Sequence, residues 1–253
     1  MPVGSVAALA VAHADRHAVT PSRKAGEGPP VPRAVAIVPA HDEEGSIART
    51  VKELLAVEGI REVVVVADGC TDRTADEAAG AGARVLVTPA RVGKGRAVEG
   101  ALDAVSADLY VLVDADVGGT AGEAARLLDE VAADRLDLAI ARPPPDQSGG
   151  FGAVQALART AIRSLARFDA AAPLSGQRAA TRQALFACRP LARGFGLETA
   201  MTIDAARLGF RVGEVPVDMR HRTTGRSLRG FSHRARQGVD IARAVLPRAL
   251  RLR

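Results

Sequence analysis

The sequence predicts an α/β fold, a mostly parallel sheet with helices on both faces, and three observations carry that expectation. From residue 33 onward, short apolar runs of strand length alternate with longer stretches of helical spacing. The runs are continuously apolar, as in strands covered on both faces. Polar clusters follow three of them directly: His41-Asp42-Glu43-Glu44, Asp68-Gly69-Cys70-Thr71-Asp72 and Asp114-Ala115-Asp116. Parallel sheets bind ligands beyond the carboxyl ends of their strands, so these three distant clusters are expected on one rim.

At 253 residues and 47% hydrophobic content the chain can bury the core of one large domain. Residues 1–32 end in a mixture of breakers and charges, Pro21 to Pro30, expected to form a disordered tail. The domain is expected over 33–245 and a basic tail over 246–253. Ala34 to Val38 reads as the first strand, and Ile47 to Val57 as a helix with Ser46 near its start. A second strand follows over Glu62 to Ala67, a helix over Asp72 to Ala79, a third strand over Ala83 to Val87 and a helix over Gly95 to Val105. Leu109 to Val113 is the fourth strand and runs straight into Asp114. The second half is less regular. Leu136 to Ala141 reads as a strand, Arg142 to Gly150 as an exposed loop, Ala153 to Phe168 as a helix and Ala172 to Gln177 as a loop. A helix over Leu197 to Leu208 and a strand over Phe210 to Val217 close the pattern.

The net charge of +5 rests on arginine, since Lys24, Lys52 and Lys94 are the only lysines. With aromatics at 3% and no reading helix or stacking platform, nucleic acid is not expected as a partner. The charge instead suits steering of phosphorylated substrates and anionic surfaces. Cys70 and Cys188 have neither disulfide-framework nor C-x-x-C spacing, which is compatible with a reducing cytoplasm. The apolar stretch Val6 to Val11 lacks a basic region before it and is far shorter than the ~20 residues of a membrane span.

Asp114 and Asp116 stand two apart at a strand end, where a turn can aim both at one cation. Hard oxygen ligands suit Mg²⁺ or Mn²⁺, which keep open positions for substrate phosphates. Lys94, flanked by Gly93 and Gly95 and followed by a helix, is a second candidate for meeting a diphosphate. Neither the P-loop spacing nor a G-x-G-x-x-G fingerprint is present.

In order, Val38-Pro39-Ala40-His41-Asp42-Glu43-Glu44, Ala67 to Thr74, Gly93-Lys94-Gly95 and Asp114-Ala115-Asp116 resemble the family-2 glycosyltransferases with the GT-A fold. Within them, Pro173-Leu174-Ser175-Gly176-Gln177, Gly194-Phe195-Gly196-Leu197-Glu198 and Arg220-His221-Arg222 are similar to glucosyl-3-phosphoglycerate synthases. Those enzymes join glucose from UDP-glucose to 3-phosphoglycerate. The resemblance implies a nucleotide-sugar donor whose uridine is framed by Pro39, Ala40 and Glu43 with Asp68 near the base, with Lys94 near its phosphates, Asp114 contacting the ribose or sugar, and Ser175 and Gly176 as further donor-binding residues. It implies a metal on Asp116, supported by Asp114 and completed by His221. Glu198 is the candidate for holding sugar hydroxyls, and Asp116, Glu198 and Lys94 form the implied catalytic group. Arg193, Arg220, Arg222 and Arg226 are candidate ligands of an acceptor phosphate, because guanidinium forks match phosphate oxygens.

The chain departs from that subgroup at Gln177-Arg178, where an acidic-aromatic pair is expected, and at His41-Asp42, where an apolar-amide pair is expected. These changes bear on the acceptor. The segment Gly209 to Val217 with His221 to Ser227 is also similar to polyprenyl-phosphate sugar transferases, whose acceptor is a lipid phosphate. From Arg222 to Arg253 there are nine arginines and one acid, Asp240. Such a basic amphipathic helix suits an anionic membrane surface, packing on the core, or a homodimer contact. Two other classes stand beside the enzyme: a non-catalytic nucleotide-sugar binding protein and a nucleotidyltransferase, although 38–46 lack the latter's glycine- and arginine-rich signature.

Overall fold

The computed structural model describes residues 33–144, 152–194, 196–220 and 229–250. The first half alternates strand and helix: β1 (Ala34–Ala40), α1 (Ile47–Leu55), β2 (Ile60–Asp68), α2 (Thr74–Gly80), β3 (Arg84–Thr88), α3 (Lys94–Ala104) and β4 (Leu109–Leu112). A 3-10 segment (Ala115–Glu123) leads into α4 (Ala124–Ala132) and β5 (Leu138–Arg142). Then come α5 (Gly152–Ala166), β6 (Arg178–Thr181), α6 (Arg182–Ala187), α7 (Gly196–Arg207), β7 (Val212–Pro216) and α8 (Arg229–Ala249).

The strands form one sheet in the order β3-β2-β1-β4-β6-β5-β7. Strand β6 runs antiparallel to both its neighbours, while the other pairs are parallel. Alternation along each strand builds the two faces. Ala36, Val38, Val63, Val65 and Val111 bury on the side of α1 and α4; Val35, Ile37, Val64, Val66 and Tyr110 bury on the side of α3 and α7. Helix α1 meets its face with Ile47, Thr50, Val51 and Leu54, spaced three and four apart.

The expected alternation matches the first half closely, with element ends shifting by no more than two residues. Two regions differ. The 3-10 segment with α4, and the pair β6 and α6, were not anticipated. Strand β6 is short and alanine-rich, and starts with Arg178, so it carries no apolar run; its strand character comes from pairing with β4 and β5. Helix α8 continues through Ala249.

Helix α8 packs on the core through Ile241 and Ala244, while Val239, Leu246 and Leu250 are exposed. Arg248 is only 3% exposed; it pairs with Asp204 of α7 and donates from Nη1 to the Ala244 carbonyl at 2.6 Å. Among the described residues, no helix is long and apolar enough to cross a membrane. Removing one partner of such a buried pair strands the other charge. Arg248→Ala is therefore expected to lower the unfolding free energy by about 3 kcal/mol in urea titrations, whereas exposed Leu246→Ser should change it by less than about 0.5 kcal/mol.

Candidate active site

The three polar clusters lie together beyond the carboxyl ends of β1, β2 and β4. The outlets of β1 and β2 are laced by hydrogen bonds. Glu43 N donates to Thr74 Oγ1 at 2.8 Å, Glu44 N to Asp72 Oδ2 at 3.0 Å, and Arg73 Nη2 to Glu44 Oε1 at 2.8 Å. Burial works to raise the Asp72 pKa, but hydrogen bonds from Thr74 and Glu44 outweigh it and the carboxyl sits below its usual value. The methyl of Ala40 is buried in the core, and its carbonyl accepts from the Cys70 thiol at 3.5 Å. Pro39 beside it is half-buried. Gly69 makes the β2 outlet turn: its φ is +63°, and a Cβ there would come within 2.5 Å of the Arg91 nitrogen.

Asp68 braces the loop that carries Lys94. Its carboxylate accepts from Val92 N at 2.6 Å, Gly93 N at 2.8 Å and Thr88 Oγ1 at 3.0 Å. Lys94, the first residue of α3, then reaches Asp114 Oδ1 at 2.6 Å and Glu198 Oε1 at 2.7 Å. Burial presses the ammonium toward deprotonation, but Asp114 and Glu198 outweigh it and hold the pKa of Lys94 well above its usual range. The other Asp114 oxygen accepts from Gln177 Nε2 at 2.8 Å, so the departure from an acidic residue at 177 supplies a donor to a carboxylate. Gly176 packs against this pair so closely that a Cβ would stand 2.4 Å from Asp114 Oδ2 and 2.7 Å from Lys94 Nζ.

Under the site lies Arg178, fully buried. Its Nε donates to the Ser175 carbonyl at 3.0 Å and its Nη1 to Thr202 Oγ1 at 3.0 Å, and Thr202 in turn donates to the Glu198 carbonyl at 2.9 Å. The guanidinium thus ties the Ser175-Gly176-Gln177 loop to the helix bearing Glu198. Burial pushes its pKa down to about 10, with Glu198 the first opposing influence, so it stays charged at neutral pH.

Asp116 lies in the 3-10 segment and lines a cavity of about 400 Å³ with Ser46, Arg49, Gly119, Thr120 and Arg220. Thr50, buried on α1, positions this segment: its hydroxyl donates to the Ala115 carbonyl at 2.8 Å and accepts from Gly118 N at 2.9 Å. Asp114 meets Lys94 and Gln177, while Asp116 is the acid of the two that lines this cavity, and carboxylate oxygens suit a hard cation. Arg220 borders the same cavity; its Nε pairs with Asp218 at 3.0 Å and its backbone N–H donates to Thr120 Oγ1 at 2.9 Å. Arg193 is exposed on the turn before α7, and Ala192 in that turn packs its carbonyl against Gly95. His221, Arg222 and Arg226 lie outside the described residues.

The architecture and the rim define an α/β domain of the GT-A type. Residues 35–189 match the glycosyl transferase family 2, and the chain belongs to that family. It is 32% identical over 205 residues to the glycosyltransferase AglJ of Haloferax volcanii, covering 78% of this chain and 66% of that one. It is 31% identical over 199 residues to the glucosyl-3-phosphoglycerate synthase of Mycolicibacterium paratuberculosis, covering 68% and 60%. The matched regions thus span less than two thirds of either relative's own length.

Among solved structures, the fold is similar to the Mycobacterium tuberculosis glucosyl-3-phosphoglycerate synthase in complex with Mn²⁺, UDP and glucosyl-3-phosphoglycerate. The TM-score is 0.70 at 27% identity, over 85% of this chain and 80% of that one. The same enzyme in complex with Mg²⁺ and UDP gives 0.71 at 26% identity, over 85% and 79%.

Two residues that hold the site, Thr50 and Thr202, are not among the expected ones, and Gln177, expected to bear on the acceptor, bonds Asp114. Thr50 had a signal, being a hydroxyl at an apolar helical position between Ile47 and Leu54. Lys94 itself carries a stability prediction. In Lys94→Met the two acids lose their shared cation, which should cost about 3 kcal/mol at pH 7. In the native chain the raised Lys94 pKa means its contribution is complete below the ordinary value of 10.5 and is lost only above it, so the deficit of Lys94→Met should be steady up to that pH and shrink beyond it. Urea unfolding of both proteins across this pH range measures the difference.

Proposed function

We propose that the chain is a metal-dependent glycosyltransferase that moves glucose from UDP-glucose to 3-phosphoglycerate or a closely related small phosphorylated acceptor. The observation that supports this reading most is the Lys94 ammonium between Asp114 and Glu198, on the rim beyond the carboxyl ends of the strands, where parallel sheets bind their ligands. In this reading Pro39, the Ala40 carbonyl and Glu43 frame the uridine, while Asp68 shapes its floor by holding the lysine loop. Asp116 holds Mn²⁺ or Mg²⁺, with Asp114 behind it and His221 as a further ligand. The cation, when bound, offsets the charge of the donor diphosphate. Lys94 adds a fixed positive charge beside it, and Glu198 accepts hydrogen bonds from sugar hydroxyls. Ser175 and Gly176 border the sugar, and Arg193, Arg220, Arg222 and Arg226 meet the acceptor phosphate.

Purified protein incubated with labelled UDP-glucose, Mn²⁺ or Mg²⁺ and 3-phosphoglycerate should form a glucosylated acid identifiable by mass spectrometry, and chelation should abolish it. Asp116→Asn should keep the fold and lose at least about 100-fold in transfer, together with metal-dependent UDP binding. An Asp116→Asn enzyme as active as its parent removes that carboxylate from the metal. Tight donor binding without transfer or donor hydrolysis would favour a binding protein.

A second reading, transfer to a polyprenyl phosphate at a membrane surface, is favoured by α8. Val239 and Leu246 are exposed there and Leu250 directly after it, with Arg243 exposed among them. Co-sedimentation with anionic vesicles, strong at low salt and falling at moderate salt, is its expected signature; no binding at low salt favours the small acceptor and a cytoplasmic site of action.

A further inference from the structure

The polar residues at the outlets of β1 and β2 include three that the sugar-transfer reading leaves without a role: His41, Asp42 and Cys70. They are 29 residues apart in sequence at most, yet one ligand atom from each lies within 4.8 Å of the others. Spacing along the chain gave no hint of this, because the cysteine comes from one strand end and the other two from its neighbour. We propose that these three side chains form a binding site for a borderline-soft divalent cation of the Zn²⁺ class, separate from the hard-cation position at Asp116.

The geometry favours ligation at each residue. His41 Nδ1–H donates to the Asp68 carbonyl at 2.8 Å, which fixes the ring and leaves Nε2 facing Asp42 Oδ2 at 3.7 Å. A backbone carbonyl on the far nitrogen is the arrangement that orients histidine ligands. Asp42 adopts a left-handed backbone conformation, φ +53°, and the Thr71 N–H anchors its Oδ1 at 2.7 Å, so Oδ2 is turned toward the histidine. Cys70 is half-buried, close enough to the surface for a cation to reach it.

Imidazole, thiolate and one carboxylate together suit Zn²⁺ or Co²⁺ and are poor ligands for Mg²⁺. Bonds of about 2.0–2.3 Å in a tetrahedron hold ligand atoms about 3.5 Å apart, so closing the site needs side-chain movement of about 1 Å. On binding, the Cys70 S–H bond breaks, its proton goes to solvent and a sulfur–metal bond forms. Three protein ligands leave a fourth position for water. The proposal stands whether or not the chain transfers sugar.

The test uses the full, metal-stripped chain in excess Mg²⁺, titrated with Co²⁺. A near-ultraviolet thiolate-to-cobalt charge-transfer band should grow to a one-to-one end point and collapse when Zn²⁺ displaces the probe. Cys70→Ser should abolish the band, His41→Gln should weaken Co²⁺ binding at least about 10-fold, and Asp116→Asn should leave the band intact. In the unmutated protein, Zn²⁺ but not Mg²⁺ should slow iodoacetamide alkylation of Cys70, read by peptide mass spectrometry, which covers the case in which a variant fails to fold. Absence of the band, its persistence in folded Cys70→Ser, or equal alkylation with and without Zn²⁺ would overturn the proposal.

Discussion

The site depends on a single ammonium shared by two carboxylates. Lys94 opens α3, Asp114 follows β4 and Glu198 lies in the first turn of α7, so three parts of the chain separated by up to 104 residues meet at Nζ. The side chain of Glu198 is 8% exposed and that of Lys94 26%, so water does little to screen the attraction. Each partner is then held from behind. Asp68 grips the loop before Lys94, Gln177 bonds the second oxygen of Asp114, and Arg178 reaches the helix of Glu198 through Thr202. The absence of a side chain at residue 176 lets that cluster close.

The sheet makes this convergence possible. Parallel strands β1, β2 and β4 deliver their polar outlets to one rim, and the apolar faces on either side pin the strands in register. Thr50 shows how core and site connect: it sits with Ile47, Val51 and Leu54 on the buried stripe of α1, yet its hydroxyl bonds both an acceptor and a donor of the segment carrying Asp116. The buried polar atom is satisfied, and the segment is fixed at the same stroke.

Much of this was legible in the residues. Continuous apolar runs marked the strands of the first half, and the acids placed directly after them marked the rim. What could not be read was long-range pairing. Arg178-Ala-Ala-Thr181 has the look of a loop until β4 and β5 flank it. Asp68 reads as a ligand-facing acid, but its oxygens are engaged by amides 24 and 25 residues later. Cys70 had no partner at any metal-like spacing, because its neighbours in space come from the adjacent strand. The segment from His221 to Leu228, where one metal ligand and two arginines were expected, lies outside the described residues.

Strand β6 runs against its neighbours, and that reversal changes what the rim is made of. Beside Leu112, at the outgoing end of β4, the chain enters rather than leaves the sheet at Arg178. One wall of the cleft is therefore an inbound peptide, 172–177, whose Gly176 and Gln177 meet Asp114 just beyond the outgoing end of β4. A substitution in that loop must be matched at the outlet it touches, a mutual constraint that neighbours running the same way would not impose.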